Sequence, residues 1–341
     1  MLKMTTYINF PRARRWVRRD SIFEYIQFVF RTSVHSSSFL RTLARSFWAP
    51  SCFKRLPNEL ASIDDDAKKH SFDPSWYCFP TNGTRIQVFD VRNGLVLKTL
   101  KASLPPQLIE KEIESRSKTG DISPEILNVS TAGTAYVEKW LLDYRHPKDL
   151  REASIAISNL ANKCGPVELL DHDDYWKLLE AQGTLTPRTK ESVALVLDRQ
   201  HQAQIPVRLA HGDVSLPNIL IKYVDGTATI KLIDWEYSRK CVVSYDAWLL
   251  PYDYFRRPFY RQSNSVRLHS LDERYFDFLR QSLRLTELDN VLPCASVCHV
   301  LNLVERHSFL TRLSETSGIN CDAVLRIMEF DLRRANKAIA I

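Results

Sequence analysis

The dipeptide Asp225-Gly226, set between the β-rich runs Ile219–Val224 and Thr227–Ile233, constrains this chain more than any other feature. Asp-Gly readily supplies the two positive φ angles of a two-residue hairpin turn, and the flanking runs are rich in β-branched residues. A two-residue turn pairs Val224 with Thr227 and fixes every pair further out. Ile219 then faces Leu232 and Ile221 faces Ile230 on an apolar side, while Lys222 meets Thr229 on a polar one. The same register brings Asn218 opposite Ile233 and Asp234 opposite Pro217. An amide and a carboxylate distant in sequence thus become neighbours at the open end. A strict pleat would aim them to opposite faces, so the chain must leave regular strand geometry there.

An amide oxygen beside a carboxylate suits a hard divalent cation that keeps waters and takes its remaining ligands from phosphates, which points to magnesium. Asp213 lies five residues before Asn218 on the connecting loop. A carboxylate there could accept the proton of an attacking hydroxyl while the metal neutralises the phosphates. Singly, each of the three reads more readily as a turn former or an ordinary strand-end acid. Together, at these spacings, they read as a site.

His211-Gly212-Asp213, then Asn218-Ile219-Leu220, then Leu232-Ile233-Asp234-Trp235-Glu236-Tyr237 resemble the catalytic core of the aminoglycoside phosphotransferase and choline kinase family. The resemblance implies an α+β, protein-kinase-like two-lobed fold, with a small β-rich N-lobe and a larger helical C-lobe. It implies transfer of the γ-phosphoryl of ATP, sometimes GTP, to a small-molecule hydroxyl with Mg2+ as cofactor. By resemblance Asp213 matches the catalytic base, His211 the residue bracing its loop, and Asn218 and Asp234 the metal ligands. Asp246, twelve residues after Asp234, matches a further acid that supports the loop.

The net charge of +7 lies in residues 1–50, which hold nine Lys or Arg against Asp20 and Glu24; the rest of the chain has 38 bases and 38 acids. The charge excess therefore belongs to a basic N-terminal extension and linker, residues 1–74, and not to the catalytic unit. Arg12, Arg14, Arg15, Arg18 and Arg19 surround Trp16, ahead of an apolar aromatic run from Ile22 to Phe30 that is too short to span a bilayer. Three readings stand: peripheral contact with an anionic membrane through residues 1–30, an organelle transit peptide, or a helical extension packed on the lobes. No specific nucleic-acid partner is expected, since no recognised module is present. The seven cysteines are scattered without a CxxC pair, and Cys294, Cys298 and His299 lack zinc spacing, which fits a reducing, cytoplasmic setting.

Residues 75–141 read as the nucleotide-binding N-lobe. Thr84–Val91 and Leu95–Leu100 are strands joined at Arg92-Asn93-Gly94, and the second carries Lys98. An ammonium there can hold the α and β phosphates if a carboxylate fixes its direction. Glu112, on the border of the apolar stripe Leu108, Ile109, Ile113, is the candidate, with Glu110 and Glu114 as competitors. By resemblance, backbone groups of Glu138, Lys139 and Trp140 meet the adenine edge. There is no GxGxxG, and Gly83 and Gly94 are the only glycines before the helix, so phosphate contacts fall to other backbone N–H groups.

Residues 142–341 form the helical C-lobe, with helical patterns at 147–163, 171–182 and 187–201 and a good helix start at Thr186-Pro187. Between Asp234 and Asp246 there is no room for the long segment that docks protein substrates, so the acceptor is a small-molecule or glycan hydroxyl. Trp235, Tyr237, Tyr245, Trp248, Tyr252, Tyr254, Phe255, Phe259 and Tyr260 could cage a quaternary ammonium, as in choline and ethanolamine kinases, or be core. Arg256, Arg257 and Arg261 would suit an anionic substrate instead. A non-catalytic pseudokinase scaffold is the rival from another class.

Overall fold

The computed structural model describes residues 7–33, 72–78, 84–101, 106–161, 164–199, 204–256, 273–285, 295–317 and 319–340 as continuous stretches, with short pieces among 43–63 and at 104, 259 and 271. The chain divides into two compact units. One holds Met1–Glu114, Ser123–Lys148 and Leu220–Glu236; the other holds Ser115–Ile122, Asp149–Ile219 and Tyr237–Ile341. The first is rich in sheet and the second in helix, the α+β composition expected.

The first unit is built on an antiparallel sheet of eight strands in the order β3-β1-β2-β4-β5-β6-β8-β7. In chain order these are β1 (Tyr7–Phe10), β2 (Arg15–Arg18), β3 (Ser51–Phe53), β4 (Trp76–Cys78), β5 (Arg85–Asp90), β6 (Leu95–Leu100), β7 (Ile126–Val129) and β8 (Ala135–Lys139). Period-two alternation sorts the side chains to two faces. Tyr77, Ile86 and Val88 go to one face, where Leu60 and Phe72 cover them. Val17, Trp76, Phe89 and Val96 go to the other, under Tyr25 and Val29 of helix α1 (Ile22–Ser33). The β5–β6 turn is tied by Asp90, whose carboxylate accepts from the Asn93 backbone N–H at 3.1 Å and from its side-chain amide at 2.7 Å. This is the local side-chain bonding that favours Asp at turns.

Of residues 1–74, the stretch Tyr7–Arg18 is part of the sheet. Arg15–Arg18 pairs with Trp76–Cys78, so the N-terminal hairpin continues the sheet that carries Lys98. The basic residues do not lie on one helix as composition suggested: Arg15 and Arg18 are in a strand, and the apolar run after them is the helix. Strand pairing won because Trp16 and Val17 alternate faces, a two-residue period that a helical reading of the arginines overlooked.

The hairpin forms as its turn dictates, with β11 (Ile219–Val224) and β12 (Thr227–Leu232) joined by Asp225 at φ 50° and Gly226 at φ 77°. Residues 220–236 belong to the sheet-rich unit, as do 142–148, both of which were expected in the helical lobe. Arg145 explains the transfer, exchanging backbone hydrogen bonds with Ile221 at 2.9 and 2.7 Å.

In the second unit a small sheet, β13 (Arg239–Val242), β10 (Ile205–Ala210) and β9 (Glu168–Leu170), is surrounded by helices. These are α3 (Leu150–Ala161), α4 (His172–Gln182), α5 (Pro187–Arg199), α6 (Tyr245–Arg256), α7 (Glu273–Leu285), α8 (Ala295–Ser317) and α9 (Asp322–Ala340); α2 (Gln107–Ser117) precedes them in the chain. Asp171 caps α4 by accepting the Asp174 N–H at 2.8 Å, and α5 begins at Pro187 as its sequence dictates. Tyr175, Val193, Val207, Trp248, Leu301 and Met328 belong to one buried core.

Candidate active site

Lys98 sits in β6 between Val96 and Leu100, opposite Gln87 on one side and Tyr136 on the other. Its ammonium contacts Asp234 Oδ1 at 2.8 Å and Glu138 Oε1 at 3.0 Å. Burial alone would lower the lysine pKa; the fields of Asp234 and then Glu138 override it and hold it well above the ordinary value. Lys98 is thus a fixed cation whose direction is set by two carboxylates. Asp234 lies just beyond the end of β12 with φ 61°, a left-handed conformation that costs a non-glycine residue about 1–2 kcal/mol. The chain leaves strand geometry here.

The expected partnership of Lys98 with Glu112 is corrected. Glu138 takes that place, because on β8 it pairs with Val96 of β6 and so shares the face of Lys98 one pleat away. Glu112 is buried on α2, where it ion-pairs with Arg85 and accepts from the Tyr136 hydroxyl at 2.6 Å. Arg85 was missed entirely. An arginine at the start of a strand reads as a surface charge, and only the register, which sets it opposite Leu100, reveals that it points inward.

Two of the backbone N–H groups expected at the adenine edge are engaged elsewhere. The Lys139 N–H donates to the Glu125 carbonyl at 3.0 Å and the Trp140 N–H to the Gly94 carbonyl at 2.8 Å, so both are committed inside the sheet. The Trp140 ring lies 5.8 Å from Phe28, 5.4 Å from Trp76 and 5.4 Å from Phe89, centroid to centroid.

The other expected site residues belong to the helical unit, on the loop that follows β10. His211 is fully buried, and its Nδ1 accepts a long 3.3 Å bond from the Asp213 N–H. Gly212 has φ 84°, and a Cβ there would lie 2.0 Å from the Tyr237 carbonyl oxygen, so only glycine fits. Asp246, in the first turn of α6, accepts the N–H of His211 at 2.8 Å and that of Gly212 at 3.1 Å. The Asn218 amide donates to the Asp213 carbonyl at 2.9 Å and to its carboxylate Oδ2 at 3.2 Å. With its nitrogen so engaged, Asn218 presents Oδ1 as the atom able to ligate a cation.

Sequence reasoning gave no hint of Arg306. From α8 it donates to the Gly212 carbonyl at 2.7 Å and to Asp213 Oδ1 at 3.0 Å. The side chains of Asp213 and Asp234 remain about one-third exposed, at 32% and 34%, so each keeps an open edge.

The donor set suits magnesium in kind. Among the described residues no group of three or more His, Cys, Asp or Glu is placed to hold a metal.

The aromatic stretch after Asp234 is mostly core. Trp235, Tyr245, Trp248 and Tyr252 are buried, and Trp248 and Tyr252 stack at 4.6 Å. Arg256 is not available to an anionic substrate, since its Nε donates to buried Asp331 at 2.8 Å. Arg257, Tyr260 and Arg261 lie outside the described residues.

No family model matches the chain, and no curated protein matches it in sequence. Its structural neighbours include aminoglycoside phosphotransferases and choline or ethanolamine kinases. An aminoglycoside phosphotransferase is 14% identical, with 82% of this chain and 99% of that chain covered and a TM-score of 0.49. An amicoumacin kinase in complex with AMP-PNP, Ca2+ and Ami is 13% identical over 83% and 93% of the two chains, with a TM-score of 0.48. A choline kinase from Streptococcus pneumoniae is 12% identical over 83% and 99%, with a TM-score of 0.47.

Proposed function

We propose that this protein is an ATP- and magnesium-dependent phosphotransferase whose acceptor is the hydroxyl of a small molecule or glycan. The observation that carries the reading is the buried Lys98 ammonium, held at 2.8 Å by Asp234 and at 3.0 Å by Glu138. The ammonium can neutralise phosphate oxygens as they approach, with Asp234 and Asn218 offering hard oxygens to magnesium. Asp213 takes the acceptor proton, and His211 and Asp246 keep its loop in shape. Positioning and charge neutralisation supply most of the rate in such chemistry. GTP is the alternative donor, and an amino alcohol of the choline or ethanolamine type the alternative acceptor.

The test is ADP release from Mg-ATP across a panel of sugars, aminoglycosides and amino alcohols, with Asp213→Ala as control. Turnover with one acceptor class that Asp213→Ala abolishes, while nucleotide binding persists, supports the reading. Unchanged turnover in that variant removes Asp213 as base.

A second reading, a non-catalytic scaffold, is favoured by one observation. Next to Lys98 on the same sheet face, Val96 is only 5% exposed under α1. A protein that shows no thermal shift with Mg-ATP or Mg-GTP would fit that reading.

Peripheral membrane contact is a further part of the proposal. Phe23 and Phe30, seven residues apart on the outward side of α1, are 65% and 44% exposed, and Arg12, Arg14 and Arg19 are exposed in the preceding segment. Among the described residues no helix is long and apolar enough to cross a membrane. Sedimentation with phosphatidylserine vesicles, compared with phosphatidylcholine alone, tests it: equal recovery with both removes the proposal.

A further inference from the structure

We infer that Arg306 is a positioning residue for phosphoryl transfer, aiming the Asp213 carboxylate at the acceptor hydroxyl. The inference rests on Asp213 being the proton acceptor. Its support is that one guanidinium grips two parts of one turn. Nη1 takes the Gly212 carbonyl at 2.7 Å and Nη2 takes Asp213 Oδ1 at 3.0 Å. The planar fork ties the carboxylate to its own backbone, which removes rotation about the Asp213 side chain. Asn218 holds the other carboxylate oxygen at 3.2 Å, so both oxygens are directed.

Arg306 is itself held. Its side chain is 14% exposed. Beside it Arg239 donates to the Tyr245 hydroxyl at 2.8 Å and lies 4.0 Å over the Phe309 ring, so aromatic surface packs around the two cations. The Arg306 charge opposes that of Arg239, and an arginine kept beside another needs a compensating anion. Asp213 supplies it. The pair places a permanent cation against a residue whose charge falls from minus one to zero during the reaction. In that step the acceptor oxygen bonds to the γ-phosphorus and the bridging β–γ P–O bond breaks with its electron pair leaving on ADP. The hydroxyl proton passes to Asp213. Arg306 exchanges no proton and touches no substrate.

The experiment is steady-state ADP release by the full chain from Mg-ATP, with the best acceptor of the panel. Variants are Arg306→Gln, Arg306→Lys, Arg306→Ala with and without added ethylguanidinium, and Asp213→Asn. A misaimed base costs about 100-fold, so Arg306→Gln is expected to lose about that much kcat with KM for Mg-ATP unchanged. Arg306→Lys, which keeps charge without the fork, falls between. Ethylguanidinium restores turnover to Arg306→Ala and not to Asp213→Asn, a rescue that a merely structural role does not give. Wild-type kcat in Arg306→Gln or Arg306→Lys, with Asp213→Asn inactive, overturns the inference and leaves the base assignment standing. Wild-type turnover in Asp213→Asn, or no ADP release by the native chain, removes the phosphotransfer reading and this inference with it. Should Gln and Ala fail to fold, the Lys variant alone decides.

Discussion

Phe28 and Trp140 face one another at 5.8 Å between ring centroids, a contact between the N-terminal helix and the end of β8. Phe28 is also 5.3 Å from Trp76, and the Arg15 guanidinium lies 4.9 Å from its ring. The helix therefore caps the face on which Lys98 is mounted. Phe28→Ala should cost about 3 kcal/mol, the range of a large-to-small change in a packed cluster. If that face must open to admit a nucleotide, the variant should bind Mg-ATP more tightly despite its lower stability. Urea denaturation and calorimetric titration measure the two effects separately, and weaker binding by Phe28→Ala would show that α1 supports the site.

Glu138 and Glu112 should separate cleanly on substitution. Glu138→Gln leaves Lys98 with Asp234 alone and should weaken Mg-ATP binding by about tenfold, the order of one charge-assisted hydrogen bond. Glu112→Gln removes the nearer of the two carboxylates on buried Arg85, leaving Glu236 at 4.0 Å, and should cost about 3 kcal/mol of stability. Equal effects of both on nucleotide binding would restore Glu112 as the partner of Lys98.

Gly212 admits no side chain. A methyl group there meets the Tyr237 carbonyl at 2.0 Å and must adopt φ 84°, so backbone has to move. Gly212→Ala should displace Asp213 and abolish turnover, while Gly226→Ala, with φ 77° and no atom within 4 Å of its Cβ, should cost only about 1 kcal/mol. Thermal melting of the two variants, with ADP release, checks the contrast.

What could be read from the sequence was what local rules control. The Asp225-Gly226 turn, the start of α5 at Pro187 and the departure of Asp234 from strand geometry follow from residues adjacent in the chain. What could not be read depends on which strands become neighbours. Glu138 displaced Glu112 because β8 pairs with β6, and the Arg15–Arg18 segment joined the sheet because β2 pairs with β4. Alternation along one strand shows which face a side chain takes and not which strand lies beside it. Arg306 lies more than ninety residues from Asp213 on a helix with no distinguishing motif, so nothing local marked it.

His299 and Glu305, both on α8, should give stability opposite pH dependences. His299 Nδ1 accepts from the Trp248 indole at 3.0 Å and also bonds the Tyr275 hydroxyl at 2.8 Å, and burial lowers its pKa from 6.5 to about 3. The folded state keeps it neutral while the unfolded chain binds a proton below pH 6.5. Stability therefore falls as pH drops from 6.5 toward 3, by on the order of 5 kcal/mol at the lower end. Glu305 accepts from Tyr175 at 2.9 Å and from the Val242 N–H at 3.0 Å, and burial raises its pKa from 4.5 to about 7. Its contribution is fully present below pH 4.5 and is lost as pH rises through 7, on the order of 3 kcal/mol. Between 4.5 and 6.5 the two oppose each other. The native chain should be nearly flat there and lose stability on both sides. Glu305→Gln should remove the loss between 4.5 and 7, and His299→Gln, which keeps an acceptor for Trp248, the loss below 6.5. Urea midpoints measured from pH 4 to 8 decide it: profiles of the two variants parallel to the native one would mean that neither group changes protonation on unfolding.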